Sequence, residues 1–327
     1  MYTKLLTILL AVLLDLVFGD PPNRTHPVAL MGAWLSKGRK LVPQNHRFWF
    51  GAGWIMAGLL LFSLPWKGQN TAYALRTTHY FPRSAYYVMR IVLSAGLLKP
   101  MFAYRNLRRN VAAVGHALAT ADLPTARHIT GWNLVSRDTR ELSAEEVAGA
   151  AIESLAENLT DSLTAPLLAY SSGGLPAAWA YRFVNTADAM WGYRTAEFEQ
   201  LGKFAARLDD VLNWFPARLT AWLIVFAAGL SGENARCAAR VMLDQHRRTP
   251  SPNAGWTMSA MAGALGVTLS KRGTYQLVGG PREPGVADIN RALRLADICV
   301  GLTVVIIWVG LVSLAYTFNK RTSFYHE

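Results

Sequence analysis

Three carboxylates, Glu153, Glu157 and Asp161, recur at i, i+4 and i+8, a spacing that places them on one face of a helix. Like charges so arranged repel unless an arginine or a metal ion neutralises them. A solvated acidic face is the plain alternative, but the row leads straight into the charge-free stretch Ser162 to Tyr181. Ionised groups beside such a segment tend to be functional. That stretch is split by Ser171-Ser172-Gly173-Gly174 and Pro176, the punctuation of one helix ending and another beginning. If the chain reverses there, Asn185 and Asp188 return beside the acidic row. Glu157, Asp161 and Asp188 can then surround one cation, with Glu153 near Arg194.

A second polar set follows at Arg207, Asp209, Asp210 and Arg218. Adjacent carboxylates diverge by about 100° on a helix, so Asp209 and Asp210 serve different partners. One can pair with Arg207 or Arg218, leaving the other for a divalent ion. Further on, His246-Arg247-Arg248 precedes a turn that carries Ser251, Asn253 and Trp256. Paired arginines suit a phosphate-like anion; a positively charged membrane flank explains them equally well. Near the start, Asp15, Asp20 and His26 sit around a proline-rich loop, and Trp132-Asn133-Leu-Val-Ser136-Arg137-Asp138-Thr139 forms another dense polar segment. Ser143 with Glu146 reads as a capping box that opens the acidic helix.

The elements that must hold these residues are apolar. The 327 residues are 52% hydrophobic and only 17% charged, against about 25% charged in soluble domains, which argues against an ordinary soluble enzyme and against disorder. Charge-free runs at Phe48 to Trp66 and Ile298 to Asn319 meet the roughly 20-residue requirement for a bilayer crossing. Leu5 to Phe18 reads as a retained span, and Ser84 to Tyr104 as a weaker one interrupted by Arg90. Leu219 to Gly232 is charge-free for 14 residues, a length that suits a buried or re-entrant helix as well as a span. The expected fold is all-α, a polytopic helical membrane protein with re-entrant or broken helices. Its single integral-membrane domain covers 1–327, with full crossings near 4–18, 48–66, 84–104 and 298–319 and polar loops at 19–47, 99–161, 182–218 and 233–297. Phosphate-loop, dinucleotide and His-Glu-x-x-His motifs are absent, and two unclustered cysteines, Cys237 and Cys299, make structural zinc improbable. The net charge of +12 suits anionic substrates and an anionic leaflet alike; no nucleic-acid partner is expected.

Six segments in order, Asp15-Leu-Val-Phe-Gly-Asp20-Pro with His26-Pro27-Val, Val135-Ser-Arg137-Asp138-Thr, Glu153-Ser-Leu-Ala-Glu157-Asn158, Asn185-Thr-Ala-Asp188 with Gly192-Tyr-Arg194, Arg207-Leu-Asp209-Asp210 with Pro216-Ala-Arg218, and Ser251-Pro252-Asn253-Ala-Gly-Trp256, closely resemble the adenosylcobinamide-phosphate synthase family of cobalamin biosynthesis. The resemblance runs from about residue 13 to residue 295. It implies a multi-pass inner-membrane protein that joins adenosylcobyric acid to (R)-1-amino-2-propanol or its O-phosphate, with ATP and Mg2+, its motif loops facing the cytoplasm beside other late enzymes of the pathway. On that reading the acid–base and metal chemistry falls to Glu157, Asp161, Asp188, Asp209 and Asp210, with Glu157, Asp161 and Asp188 as metal ligands. Substrate binding falls to Asp20, His26, Arg137, Asp138, Asn158, Asn185, Arg194, Arg207, Arg247, Arg248, Asn253 and Trp256. Family members often carry Glu two residues after the Asn-Ala-Gly-Trp motif, where this chain has Met258, and its later turn reads Lys271-Arg272-Gly273-Thr274-Tyr275. A related branch is connected with β-lactamase regulation, so the departure keeps a noncatalytic regulator in play beside the enzyme. A corrinoid transporter is the other alternative, because broken helices and buried carboxylates also line transport pathways.

Overall fold

The computed structural model describes residues 2–21, 26–66 and 83–323; the Pro22 to Thr25 part of the first polar loop lies outside the described residues. In chain order the helices are α1 (Tyr2–Phe18), α2 (Pro27–Lys40), α3 (Arg47–Ser63), α4 (Arg83–Leu98), α5 (Tyr104–Ala119), α6 (Leu123–Asn133), α7 (Ala144–Leu159), α8 (Ala165–Trp191), α9 (Lys203–Leu212), α10 (Trp214–Leu230), α11 (Ala235–Gln245), α12 (Ala254–Leu265) and α13 (Val286–Ser323). Strands β1 (Thr268–Lys271) and β2 (Tyr275–Val278) form one antiparallel hairpin. The all-α expectation therefore fits the bulk of the chain, and the hairpin is what it overlooked. Its tip is the Lys271 to Tyr275 turn, where Gly273 at φ 67° supplies the left-handed residue that a three-residue connection needs.

Local chemistry accounts for the helix starts. His26 caps α2 by accepting from Val28 N through Nδ1, with Pro27 next. Asp122 accepts from Thr125 N and Asn234 from Cys237 N. The expected capping box is present in both directions: Ser143 Oγ accepts from Glu146 N, and a Glu146 carboxylate oxygen accepts from Ser143 N. These contacts satisfy backbone donors that the first helical turn leaves unpaired.

By chain contacts the protein comprises two compact units, the first built from residues 1–103, 166–211 and 304–327 and the second from 104–165 and 212–303. In the first, α1 packs on α4 and α2 on α3. Ile8, Ala11, Met31, Leu35 and Ile55 are fully buried. Trp34 and Trp54 stack with centroids 4.5 Å apart, and each indole N–H donates to the other's backbone carbonyl. Phe62 stacks on Phe183, and Trp66 meets Trp179. In the second unit α12 is the centre, buried along nearly its whole length and packed on α7, α10, α11 and the hairpin. Gly263 allows that packing, because a Cβ there would lie 2.7 Å from the Cys237 carbonyl and 2.8 Å from Ala238 Cα.

Among the described residues two helices are long and apolar enough to cross a membrane, Arg47–Trp66 and Val286–Ser313; α9 and α10 meet the same test only as a pair. Of the four expected crossings, those at 48–66 and 298–319 fall within these two helices. Among the described residues α1 has 17 residues and α4 has 16, at or just below the lower edge of the roughly 17–25 residues of a crossing, and neither meets that test by itself. The 84–104 segment is not one helix: α4 stops at Leu98, and Lys99-Pro100-Met101 forms a tighter turn before α5, because proline lacks the N–H that would continue the ladder. The break expected at Gly173-Gly174 is present. Gly174 sits at φ 71°, ψ −157° and divides α8 into two helical parts. A π-helical turn at Thr160–Thr164 joins α7 to α8; it carries Asp161 and changes the helical phase after Leu159, which the i, i+4, i+8 spacing does not anticipate.

Candidate functional site

In the second unit Glu153 is 4% exposed, and its Oε2 accepts from Arg137 Nη2 at 3.1 Å. Burial pushes the Glu153 carboxyl up to about 7, against the pull of Arg137; the hydroxyl of Tyr275 pulls the same way as Arg137, and the Glu157 charge adds to the rise. Burial and the Glu153 charge in turn push the Tyr275 phenol up. That hydroxyl also donates to Met258 Sδ at 3.9 Å, so the Met258 departure sits in this same cluster. Below it, Ser154 Oγ donates to Leu134 O at 2.8 Å, Asn158 Nδ2 donates to Ser154 O at 2.9 Å, and Ser162 Oγ donates to Asn158 Oδ1 at 3.2 Å. Asn158 thus ties α7 to the π turn.

Arg137 also lines an open cleft of about 460 Å³ with Arg127, His128, Trp132, Asp138 and Arg140. Trp132 is 80% exposed, a large apolar plate at the edge of a basic pocket. Asp138 is held by Arg140 at 2.5 Å, which keeps its carboxyl well below the usual range. Three arginines and one carboxylate give the cleft a net preference for anions.

A second cluster surrounds Trp256. His246 stacks on it at 3.9 Å, and the Arg218 guanidinium lies 4.8 Å from its ring and 4.3 Å from that of Trp214. Arg218 Nη1 donates to Asn253 Oδ1 at 3.3 Å. Ser251 Oγ accepts from the backbone N–H groups of Asn253 and Ala254, fixing the start of α12. Arg247 and Arg248 are exposed, and Arg248 donates to Gln276 O at 3.4 Å.

The first unit holds two more groups. Lys99, 6% exposed, lies 3.1 Å from the Asp15 carboxylate and also pairs with Asp20. His26 Nε2 faces Asp20 at 3.9 Å. Burial would raise Asp20, but hydrogen bonds from His26 and Lys99 outweigh it and hold the carboxyl low. Farther along, burial pushes Asp188 up to about 6, with the Asp210 charge adding to the rise. A Cβ at Gly192 would overlap the Asp188 carboxylate, so that glycine is what leaves the acid room. Asp210 lies 3.9 Å from Arg207, and Arg194 acts on the same carboxylate. Asn185 accepts from Arg182 at 3.3 Å and donates to Asp209 at 3.5 Å. Asp209 thus faces Asn185, while Arg207 and Arg194 act on Asp210.

Glu157 and Asp161 belong to the second unit and Asp188 to the first. Among the described residues no three His, Cys, Asp or Glu side chains converge in a group that holds a metal by itself; magnesium bound through one or two carboxylates and substrate phosphates needs no such group. Sequence reasoning missed Lys99, Tyr275 and His246 as partners of site residues. Lys99 had a signal, a lysine at the end of an apolar run opposite two aspartates, whereas Tyr275 had none because only the hairpin brings it to α7.

The description "CobD/Cbib protein" belongs to the family model that matches residues 8–318. The chain belongs to this family. It is 42% identical over 83% of its length to a probable cobalamin biosynthesis protein CobD of Methanothermobacter thermautotrophicus, covering 85% of that protein. It is 39% identical to the cobalamin biosynthesis protein CobD of Dehalococcoides mccartyi, over 95% of this chain and 98% of that one. With the protein of that name from Brucella suis, identity is 36% over 95% and 99%. No solved structure matches.

Proposed function

We propose that the chain acts in cobalamin biosynthesis as an amide-forming ligase, joining a propionate carboxylate of adenosylcobyric acid to (R)-1-amino-2-propanol or its O-phosphate at the cytoplasmic face of the inner membrane. The observation that carries the reading is the arginine-lined cleft joined through Arg137 to buried Glu153, in a chain of this family. A carboxylate is a poor electrophile, so amide formation needs it activated, most simply as an acyl phosphate made from ATP with release of ADP. The amine then forms the C–N bond, the C–O bond to phosphate breaks, and one proton must leave the nitrogen.

Arg127, Arg137 and Arg140 bind and orient the anionic groups, and Trp132 offers its face to the macrocycle. Glu153, with a carboxyl near 7, is matched to accept that proton at neutral pH. Glu157 and Asp161 are the carboxylates proposed to hold magnesium, which when bound neutralises charge on the phosphates. In the first unit Asp188 and Asp210 form an acidic pair suited to an ammonium group or a second cation. Arg247 and Arg248, exposed beside the Trp256 cluster, suit the phosphate of the amine substrate.

Purified protein with adenosylcobyric acid, aminopropanol phosphate and MgATP should give the amide, followed by mass, together with ADP. Corrinoid uptake into vesicles without ATP turnover would replace this reading with transport, and binding without either would leave a regulator.

A further inference from the structure

Within the first unit, a cavity of about 280 Å³ lies where α1 and α4 meet the break in α8. No residue of the six family-like segments lines it. Its walls carry two cations, Lys4 and Arg90, and five hydroxyl side chains, and no carboxylate. An arginine in an otherwise apolar helix is costly unless its charge is answered. Among the described residues Arg90 makes no hydrogen bond or ion pair; its charge bears only on the Tyr170 hydroxyl across the cavity. Lys4 Nζ donates to the carbonyls of Ser171 and Ser172, at 2.9 and 3.3 Å. That uses two of its three donors and leaves the third for the cavity.

Two further features point the same way. Trp66, whose Nε1 is a donor that cannot accept, lines the cavity, and among the described residues that buried nitrogen has no partner. Past Gly174 the second part of α8 starts at Leu175-Pro176, both in the wall, so the positive end of that helix adds to the same preference. A cavity with two cations, an indole donor, hydroxyls and no carboxylate has a defined complement, a compact anion with several acceptor oxygens.

We propose that this cavity binds a phosphate group, either inorganic phosphate or the headgroup of an anionic phospholipid. The volume suits one such group. The outer faces of α1 and α4 beside it expose Leu6, Leu9, Val88 and Val92, surfaces along which acyl chains can lie. Phosphate bound there ties Lys4 of α1, Arg90 of α4 and the α8 break together, so occupancy stabilises the unit.

The test uses the full chain in neutral detergent and in phosphatidylcholine nanodiscs with or without phosphatidylglycerol, reading the thermal midpoint. Inorganic phosphate is compared with chloride at equal ionic strength. The wild type should gain stability from phosphate or from phosphatidylglycerol, with half-saturation about tenfold weaker in Arg90→Gln, the loss expected for one charge-assisted contact, and partly restored in Arg90→Lys. A phosphate response in detergent identifies the free anion, and a response to phosphatidylglycerol alone identifies the lipid. If Arg90→Gln does not fold, Ser94→Ala in the same wall should weaken the response, and the wild-type comparison stands without it. Equal midpoints in phosphate and chloride, together with indifference to phosphatidylglycerol, would overturn the proposal, as would an Arg90→Gln response identical to wild type.

Discussion

Replacing Glu153 by Gln isolates the energetic consequence of its burial. The folded chain holds this carboxyl near 7, against 4.5 for the free side chain. The folded state therefore binds the proton more tightly than the unfolded chain, and the associated stability is complete below pH 4.5 and lost as pH rises through 7. At about 1.36 kcal/mol per pH unit the whole loss is about 3 kcal/mol. Glutamine reproduces the protonated acid in shape and can still accept from Arg137, but it cannot ionise. The variant should match the wild type near pH 5 and exceed it by about 3 kcal/mol at pH 8. At about 2–4 °C per kcal/mol, that is a midpoint advantage on the order of 6–12 °C, measurable by tryptophan fluorescence in detergent. In activity the order reverses, since glutamine cannot take the proton. A midpoint difference that is the same at pH 5 and pH 8 would refute the reasoning, because it would mean that Arg137 keeps Glu153 ionised throughout.

Gly192→Ala drives a methyl group against the Asp188 carboxylate; it should lower stability by about 1–3 kcal/mol and reduce product formation, and unchanged turnover would show that the position of Asp188 is not needed. Gly174→Ala places a side chain at φ 71°, ψ −157°, a region costing about 1–3 kcal/mol outside glycine, so its midpoint should fall well below that of Gly285→Ala, a change in open space. Arg218→Lys keeps the charge and loses the planar stack between Trp214 and Trp256; chemical denaturation should report a loss of about 1 kcal/mol. Ser143→Ala removes one half of the capping box and should cost about 1 kcal/mol, whereas Arg272→Ala, which breaks an exposed pair with Glu146, should cost less than that.

What the sequence determined by itself is everything carried by neighbours along the chain. Helical character, the Ser143 capping box, the break at Gly174, the divergence of Asp209 from Asp210 and the apolar runs at 48–66 and 298–319 all depend on spacing within a few residues, where backbone geometry leaves little choice. The family follows from the same source, because six motifs in order are a property of the chain. Tertiary structure decided where charge is matched. Lys99 answers Asp15 and Asp20 from far along the chain, and Arg137 reaches Glu153 only because α7 folds back on its own leading loop. Tyr275 enters the same cluster through a hairpin too short to leave a periodic signal. Burial is likewise a sum over distant elements, so spacing that places Glu153, Glu157 and Asp161 alike could not say that Glu153 would be the buried acid with a carboxyl near 7. The π turn at Thr160–Thr164 shows the limit most plainly: it breaks the regular helical spacing at Asp161, which the i, i+4, i+8 pattern does not anticipate.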